Sequence, residues 1–597
     1  MTATRAQLDA WEALLTPLFD QKVLSPLDYR FALTLGRLAP EPPSDEVILG
    51  AAAASAALTR GDICLELSRA QTLLIPVEED ASLSVRLTFP EPALWKRALE
   101  ASPLVSDGSV RAPLVLQGDR LYLHRYFDYQ QRLARALLAR KAKAFELDPV
   151  RLGERLDRLF ASASPDPSQR HAAEIAVRRG LSIISGGPGT GKTSTVVRIL
   201  GALLEDNPEL RAVLVAPTGK AAARLAESIR TQRASLDLAP AIAAKIPEEA
   251  STIHRRLGYR FLSPTRFTHD AKNPLPADVV ILDEASMVDL ATMTKLVEAV
   301  PPRARLIMLG DKDQLASVAA GHVLGDIAEA AGPERPLAES FALLTRSHRF
   351  SAESGIGALA RAIQAGRADE VLAILAAGSA DVTWHDHDEA TLERIAVEGL
   401  APLSAPATLA SPRLALDALP AFQILCAHRR GRWGAERIAD EVTRWLAVHG
   451  KVPRGELWYP GRPVIVVVND HAQNLWNGDT GVTLRDADGV LRVHFPRPSD
   501  DPTGAPSRAL SIAQLPSHQP YYAATIHKAQ GSGFRHVVAV LPAEPSPVVT
   551  RELLYTAVTR AQSKVTLFAP EAVIRHAVTT RVERASGLGA ALSRAAR

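Results

Sequence analysis

A chain of 597 residues is more than one hydrophobic core can organise, so three or four domains are expected. Its 47 % hydrophobic and 23 % charged residues are ordinary for a soluble globular protein. Lys and Arg number 69 against 66 Asp and Glu, a formal charge of +3, which excludes a whole-molecule field that would draw in nucleic acid and leaves that task to locally placed cations.

In chain order, residues 1–145 mix helical and strand-like pieces without a phosphate loop or a metal-ligand cluster, and read as an accessory domain. The longest apolar stretch there, Ile48 to Leu58, is alanine-rich and well short of the roughly 18 residues a membrane span needs. No membrane contact is expected, and with no apolar signal core in the first residues a cytoplasmic location is expected. Residues 112–126 predict two strands around a Gly118-Asp119 turn, with a helix from about Phe127. The segment Ala161 to Ser168 has the composition of a linker. Cys64 and Cys426, the chain's two cysteines, sit in apolar runs and read as buried structural thiols.

From Leu181 short apolar runs alternate with helical stretches. Ile183-Ile184, Ala212 to Val215, Val279 to Leu282, Leu306 to Leu309 and Ala342 to Leu344 are unbroken apolar strands, as in a parallel sheet covered on both faces. A second set follows at Gln423 to Cys426, His536 to Leu541 and Lys564 to Phe568. The fold class is therefore α/β, with tandem parallel-sheet domains at 146–350 and 351–597. Within the second, residues 456–520 form a small antiparallel β insertion with Val464 to Val468, a turn at Asn477-Gly478-Asp479 and Val490 to Phe495, and a polar loop from Pro496 to about Pro520 leads back.

The chemistry begins at Gly186-Gly187-Pro188-Gly189-Thr190-Gly191-Lys192-Thr193, between the strand ending at Ser185 and an amphipathic helix. Glycines let backbone N–H groups converge on phosphate oxygens, the helix N-terminus adds partial positive charge, Lys192 reaches the β- and γ-phosphates, and Thr193 ligates Mg²⁺. Asp283-Glu284 closes the strand Val279 to Leu282, so both carboxylates stand at the edge where nucleotides bind. Asp283 is suited to hold Mg²⁺ through water and Glu284 to polarise the attacking water. Gln314, after another buried strand, is placed to sense the γ-phosphate.

This series resembles the superfamily 1 helicases, and block by block the RecD family, the α chains of exodeoxyribonuclease V. The resemblance covers about 165–570 and, more loosely, the N-terminal region. It implies two RecA-like domains, an accessory domain and an SH3-like β insertion. By it, Gln169 reads adenine, Ala216 to Leu225 and Ser251 to Arg255 are DNA-contacting blocks, and Arg349 in Thr345 to Phe350 contacts phosphate. Ala524 to Ser532 and Leu554 to Ala561 match the fifth and sixth motifs. Gly533 departs from the pattern, which usually has an acid there to help fix the loop. Arg349 and Arg560 are both expected to come from the second α/β domain and to reach the γ-phosphate only on cleft closure, an effect worth about 10³ to 10⁵ in rate. Thr218, His254, Thr525 and His527 are candidate contacts to the nucleic-acid strand. Trp476 in the insertion either clamps that strand or is structural.

The resemblance further implies an ATP- and Mg²⁺-dependent translocase moving 5′ to 3′ on single-stranded DNA, loading at double-strand ends. It also implies a heterotrimer with RecB-like and RecC-like subunits in recombinational repair, the N-terminal domain docking on the RecC-like partner. No run of carboxylates followed by a lysine marks a nuclease centre, so exonuclease activity falls to another subunit. Two other readings stay open: a stand-alone RecD-like helicase, and a nucleotide-switched subunit that clamps DNA without moving.

Overall fold

The alanine-rich stretch near the N-terminus folds as the helix Asp45–Thr59 and is buried almost throughout, so its apolar character serves a core. The preceding helices Arg5–Asp20 and Pro26–Leu38 start at Thr4 and Ser25, whose side chains accept from backbone N–H groups of the first turn. Gly36 is required where the helices cross, because a Cβ there would stand 2.6 Å from the Trp11 ring. Trp95, from Pro92–Glu100, closes this core and donates its indole N–H to the Glu46 carbonyl at 2.8 Å. The predicted hairpin is present as Leu114–Gln117 and Arg120–Leu123 in a four-stranded sheet, and the helix after it, His124–Lys141, begins three residues before the expected start.

The computed structural model describes all residues except 1–3, 71–73, 78–79, 87–88, 162–164, 235, 261–262, 264, 351–353, 471, 498–506 and 597. The expected linker therefore lies partly outside the described residues, and its last part already belongs to the helix Pro167–Arg178.

All five strands expected in the first sheet are present, in the order Phe341–Leu344, Leu181–Gly186, Arg305–Gly310, Val279–Leu282, Ala212–Ala216, with a sixth, Ala250–Thr252, at the far edge. Every pairing is parallel. The sixth strand is short, only partly buried and polar at Ser251-Thr252, so it lacked the apolar signature that revealed the others. The second sheet, also all parallel, runs Val382–His385, Ala561–Phe568, Phe534–Val540, Phe422–Cys426, Ala523–Thr525. Both cysteines are buried and free.

The insertion is a five-stranded antiparallel sheet. Besides Pro463–Val466, Thr480–Arg485 and Leu491–Pro496 it contains Ser507–Ser511 and His518–Pro520. These last two correct the expected return loop: the segment is polar because its strands lie at the sheet's edges, with only Leu510 of Ser507–Ser511 buried.

The chain's end crosses back. After Glu571–Thr579 it leaves the second sheet, and the helix Leu588–Ala595 packs on His124–Lys141, inserting Leu588 and Leu592 into the core beneath the first sheet. On the way Arg584 donates to the carbonyls of Ser317 (2.7 Å) and Ala319 (3.0 Å), and Ser586 donates to Asp326 at 2.5 Å. Burial pushes the Asp326 carboxyl up to about 7, with Ser586 opposing and nearby Glu329 adding to the rise. A folded-state value above the unfolded one means the native state holds the proton more tightly, so this group's contribution is full below about pH 4 and is lost as pH rises through 7. Asp326→Asn is therefore expected to raise the urea midpoint over the parent at pH 8, with the difference vanishing towards pH 4.

Candidate active site

The phosphate loop joins a fully buried strand to the helix Lys192–Asp206, whose inner face carries the expected Val196, Val197, Ile199, Leu200, Leu203 and Leu204. Gly189 and Gly191 have φ of +80° and +79°, and a Cβ on Gly189 would stand 2.3 Å from the Arg349 Cβ, so no other residue fits there. Lys192 Nζ lies over the loop, donating to the carbonyls of Gly186 (2.5 Å) and Gly187 (3.0 Å). Gln169 is buried beside it: its amide N–H groups point to the Thr190 carbonyl (3.0 Å) and to His348 Nε2 (3.0 Å). The Gln169 Oε1 is thereby left as the acceptor on that side.

These residues line a cleft of about 740 Å³ that also takes in Thr193, Asp283, Glu284, Gln314, Arg349, Ser532 and Arg560. That volume is in the range of small-ligand sites. Asp283 ends its strand and accepts from the Glu284 N–H at 2.9 Å. Burial, and then the neighbouring Glu284 charge, push its carboxyl up to about 6. Glu284 has φ of +51°, a conformation that costs a non-glycine residue roughly 1 to 3 kcal/mol and that re-aims its side chain after the strand.

Gln314 and Arg560 meet directly. Arg560 ends the helix Arg551–Thr559 of the second sheet domain and donates to Gln314 Oε1 at 2.9 Å and to the Ser532 carbonyl at 3.2 Å. Gln314 in turn donates to Asp311 at 2.9 Å. Two residues that sequence reasoning left without a role complete this seam. Tyr555 donates its hydroxyl to Asp311 at 3.1 Å, and Thr556 Oγ1 accepts from the Leu315 N–H at 3.1 Å. Thr556 and Arg560 lie four apart on one helix, so their common face was available as a signal.

Arg349 does not come from the second sheet. The strand Phe341–Leu344 pairs with Leu181–Gly186 at the edge of the first sheet, and the loop that follows folds over the phosphate loop, with the His348 N–H donating to the Gly189 carbonyl at 2.7 Å. Arg349 is thus carried on the phosphate loop's own domain, and only Arg560 arrives across the cleft. Burial lowers Arg349 to about 10, with the charges of Arg224 and Arg560 contributing. Arg224, quoted within a DNA-contacting block but given no role, also lines the cleft and donates to the Gly531 carbonyl at 3.0 Å. Among the described residues none of Arg224, Arg349 or Arg560 has a carboxylate within ion-pair distance, and Arg560 Nε is a buried donor without a partner. Gly533 has no acid to fix its loop, but the loop is held instead by Arg224 on Gly531, Arg560 on Ser532, and Gln530 on the Leu315 carbonyl at 3.0 Å.

The candidate track residues sit at carboxyl edges of the two sheets. Thr218 and His254 follow the neighbouring strands Ala212–Ala216 and Ala250–Thr252, while Thr525 ends its strand and His527 lies two residues on. Thr218 and Thr525 each accept a backbone N–H, from Ala221 (3.2 Å) and Lys528 (3.3 Å), so their hydroxyl protons remain to donate. Burial pushes His527 down to about 4, making it a neutral hydrogen-bonding group near pH 7. Trp476 stands over the start of the helix Gly219–Arg233, 3.4 Å from where a Gly219 Cβ would lie, so the insertion reaches the first domain beside Thr218.

Comparison with known proteins divides the chain along the same lines. A family model described as an AAA domain matches residues 169–320, and one described as a UvrD-like helicase C-terminal domain matches 520–568. The protein is a superfamily 1 helicase, an ATP-dependent enzyme. A third model, the N-terminal domain of the RecBCD enzyme subunit RecD, matches residues 20–122. The RecBCD enzyme subunit RecD of Mycolicibacterium smegmatis is 41 % identical over 95 % of this chain and 97 % of its own, and that of Haemophilus influenzae 32 % identical over 97 % and 99 %. The chain belongs to the RecD family. The ATP-dependent RecD2 DNA helicase of Deinococcus radiodurans is 32 % identical over 64 % of this chain and 46 % of its own. Among solved structures, Bacteroides Pif1 bound to ssDNA covers 67 % of this chain and 91 % of its own at 17 % identity and a TM-score of 0.36, too distant a likeness to argue from.

The Tyr555–Asp311 bond links the two domains through a buried carboxylate, and losing one such donor costs about 1 to 3 kcal/mol. Tyr555→Phe should therefore shift the cleft towards open by roughly 5- to 150-fold, read as a longer distance between fluorophores placed on the two sheet domains.

Proposed function

We propose that the cleft hydrolyses Mg²⁺-ATP and that its closure moves the protein 5′ to 3′ along single-stranded DNA, as the RecD subunit of a RecBCD-type complex acting on double-strand ends. The observation that carries the reading is the charge arrangement: Lys192, Arg349 and Arg560 face one cleft, Arg560 buried and Arg349 half-buried, neither with an acid to pair with among the described residues. Buried unpaired cations are costly, and a bound polyanion offsets that cost. In this reading the phosphate loop from Gly186 to Thr193 cradles the phosphates. Gln169 Oε1 accepts from the adenine amino group, and Lys192 stabilises charge on the transferring phosphoryl group. Glu284 orients the attacking water. Arg349 lies over the phosphate loop from the same domain, and Arg560 adds its charge only when the cleft closes.

The oxygen donors Thr193 and Asp283 line the same cleft and suit a hard cation, so they would hold Mg²⁺, which supplies charge neutralisation on the phosphates. Thr218, His254, Thr525 and His527 would contact the strand backbone, and Trp476 would confine it beside Thr218. We assign residues 1–145 to partner docking, 146–350 and 351–597 to the two motor domains, and 456–520 to an SH3-like insertion.

Membership of the trimer is supported by the match of residues 20–122 to the RecD N-terminal domain and by near-complete coverage of RecD subunits, against 46 % of the longer RecD2 helicase. Turnover, as opposed to a passive clamp, is supported by Glu284 and Arg560 sharing the cleft. Among the described residues no helix is long and apolar enough to cross a membrane.

Lys192→Gln should abolish DNA-stimulated ATP hydrolysis with the thermal unfolding profile unchanged; parental turnover would remove the phosphate loop from the mechanism. Strand displacement on forked oligonucleotides should require a 5′ single-stranded overhang, and unwinding from 3′ overhangs alone would refute the polarity.

A further inference from the structure

Three successive residues of one loop in the second sheet domain are held by groups of the nucleotide cleft. Gln530 reaches the Leu315 carbonyl, next to Gln314, and the Ser532 carbonyl accepts from Arg560. Between them the Gly531 carbonyl accepts from Arg224 at 3.0 Å. Gly531 has φ of +71°, the left-handed conformation that turns the loop there.

Arg224 stands on the helix Gly219–Arg233 of the first sheet domain, and that helix starts at Thr218, a candidate strand contact. The loop it grips runs back through Lys528 to His527 and Thr525, the candidate contacts of the other domain. One guanidinium therefore joins the two halves of the track at the wall of the nucleotide cleft. Its charge also disfavours those of Arg349 and Arg560, and no carboxylate lies within ion-pair distance of it among the described residues. Like charges in a poorly solvated cleft repel, and a triphosphate between them removes the repulsion. The grip on Gly531 is consequently favoured when nucleotide is bound, which is the differential affinity a ligand needs to shift a conformational equilibrium.

We propose that Arg224 is a positioning residue of the motor: by holding the Gly531 carbonyl in the nucleotide-closed cleft, it carries closure into the strand-contacting segment Thr525 to Lys528. The proposal rests on the ATP-driven reading above. It is tested with the full-length chain by measuring the fluorescence anisotropy of a labelled oligo-dT, without nucleotide and with ADP-aluminium fluoride and Mg²⁺. The parent should change its DNA affinity between the two states. In Arg224→Ala that change should shrink by about tenfold, and Arg224→Lys should recover part of it. A merely structural arginine would lower the melting temperature without moving the nucleotide-linked difference. The parental difference in Arg224→Lys and in any folded Arg224→Ala would overturn the proposal. The parental difference in Lys192→Gln would overturn the ATP-driven reading beneath it.

Discussion

The hydrogen bond from Arg560 to Gln314 is the contact on which the rest of the motor geometry depends. It places a buried guanidinium from the second sheet domain against a side chain anchored to the first, with only the Ser532 carbonyl as a further partner among the described residues. Burial disfavours the charge, and the fields of Glu284 and Asp311 only partly offset this. On the proposed reading, a cation left in that condition favours an anion in the closed cleft and so ties the separation of the two sheets to whether nucleotide is bound.

Around that bond the first domain is arranged so that one segment serves both ends. The chain from Asp311 to Gly321 begins at the cleft, meets Tyr555 and Thr556 of the second domain, and ends against Gly61 of the N-terminal domain, whose carbonyl accepts from the Gly321 N–H at 2.8 Å. The C-terminal segment holds the same stretch through Arg584, then buries Leu588 and Leu592 beneath the first sheet. The RecD N-terminal region, the first motor domain and the chain's tail therefore share one continuous packing surface. The second sheet domain meets it at the cleft through Tyr555, Thr556 and Arg560.

The distribution of charge follows the same logic. A near-neutral chain has no long-range pull on DNA, so cations must be concentrated where they act. Lys192, Arg224, Arg349 and Arg560 are concentrated inside the cleft, where low solvation strengthens their effect. The residues proposed for the track, Thr218, His254, Thr525 and His527, are instead hydroxyls and imidazoles, which suit a loosely held backbone.

What was legible in the sequence was whatever depends on short range. Unbroken apolar runs marked the main strands of both sheets, because a strand buried on both faces has no room for polar residues. The glycine pattern of 186–193 and the placement of Asp283 and Glu284 at a strand's end were equally local. Ala250–Thr252 and Ser507–Ser511 escaped because these two edge strands are partly solvated and carry polar residues in place of an apolar run. The tertiary structure alone decided which groups meet. It moved Arg349 to the phosphate loop's own domain, since strand order is set by sheet pairing and not by chain position. It brought Tyr555 to Asp311, Arg224 to Gly531 and the tail to the N-terminal region across hundreds of residues, because such contacts arise from the packing of whole domains and leave no trace in the spacing along the chain.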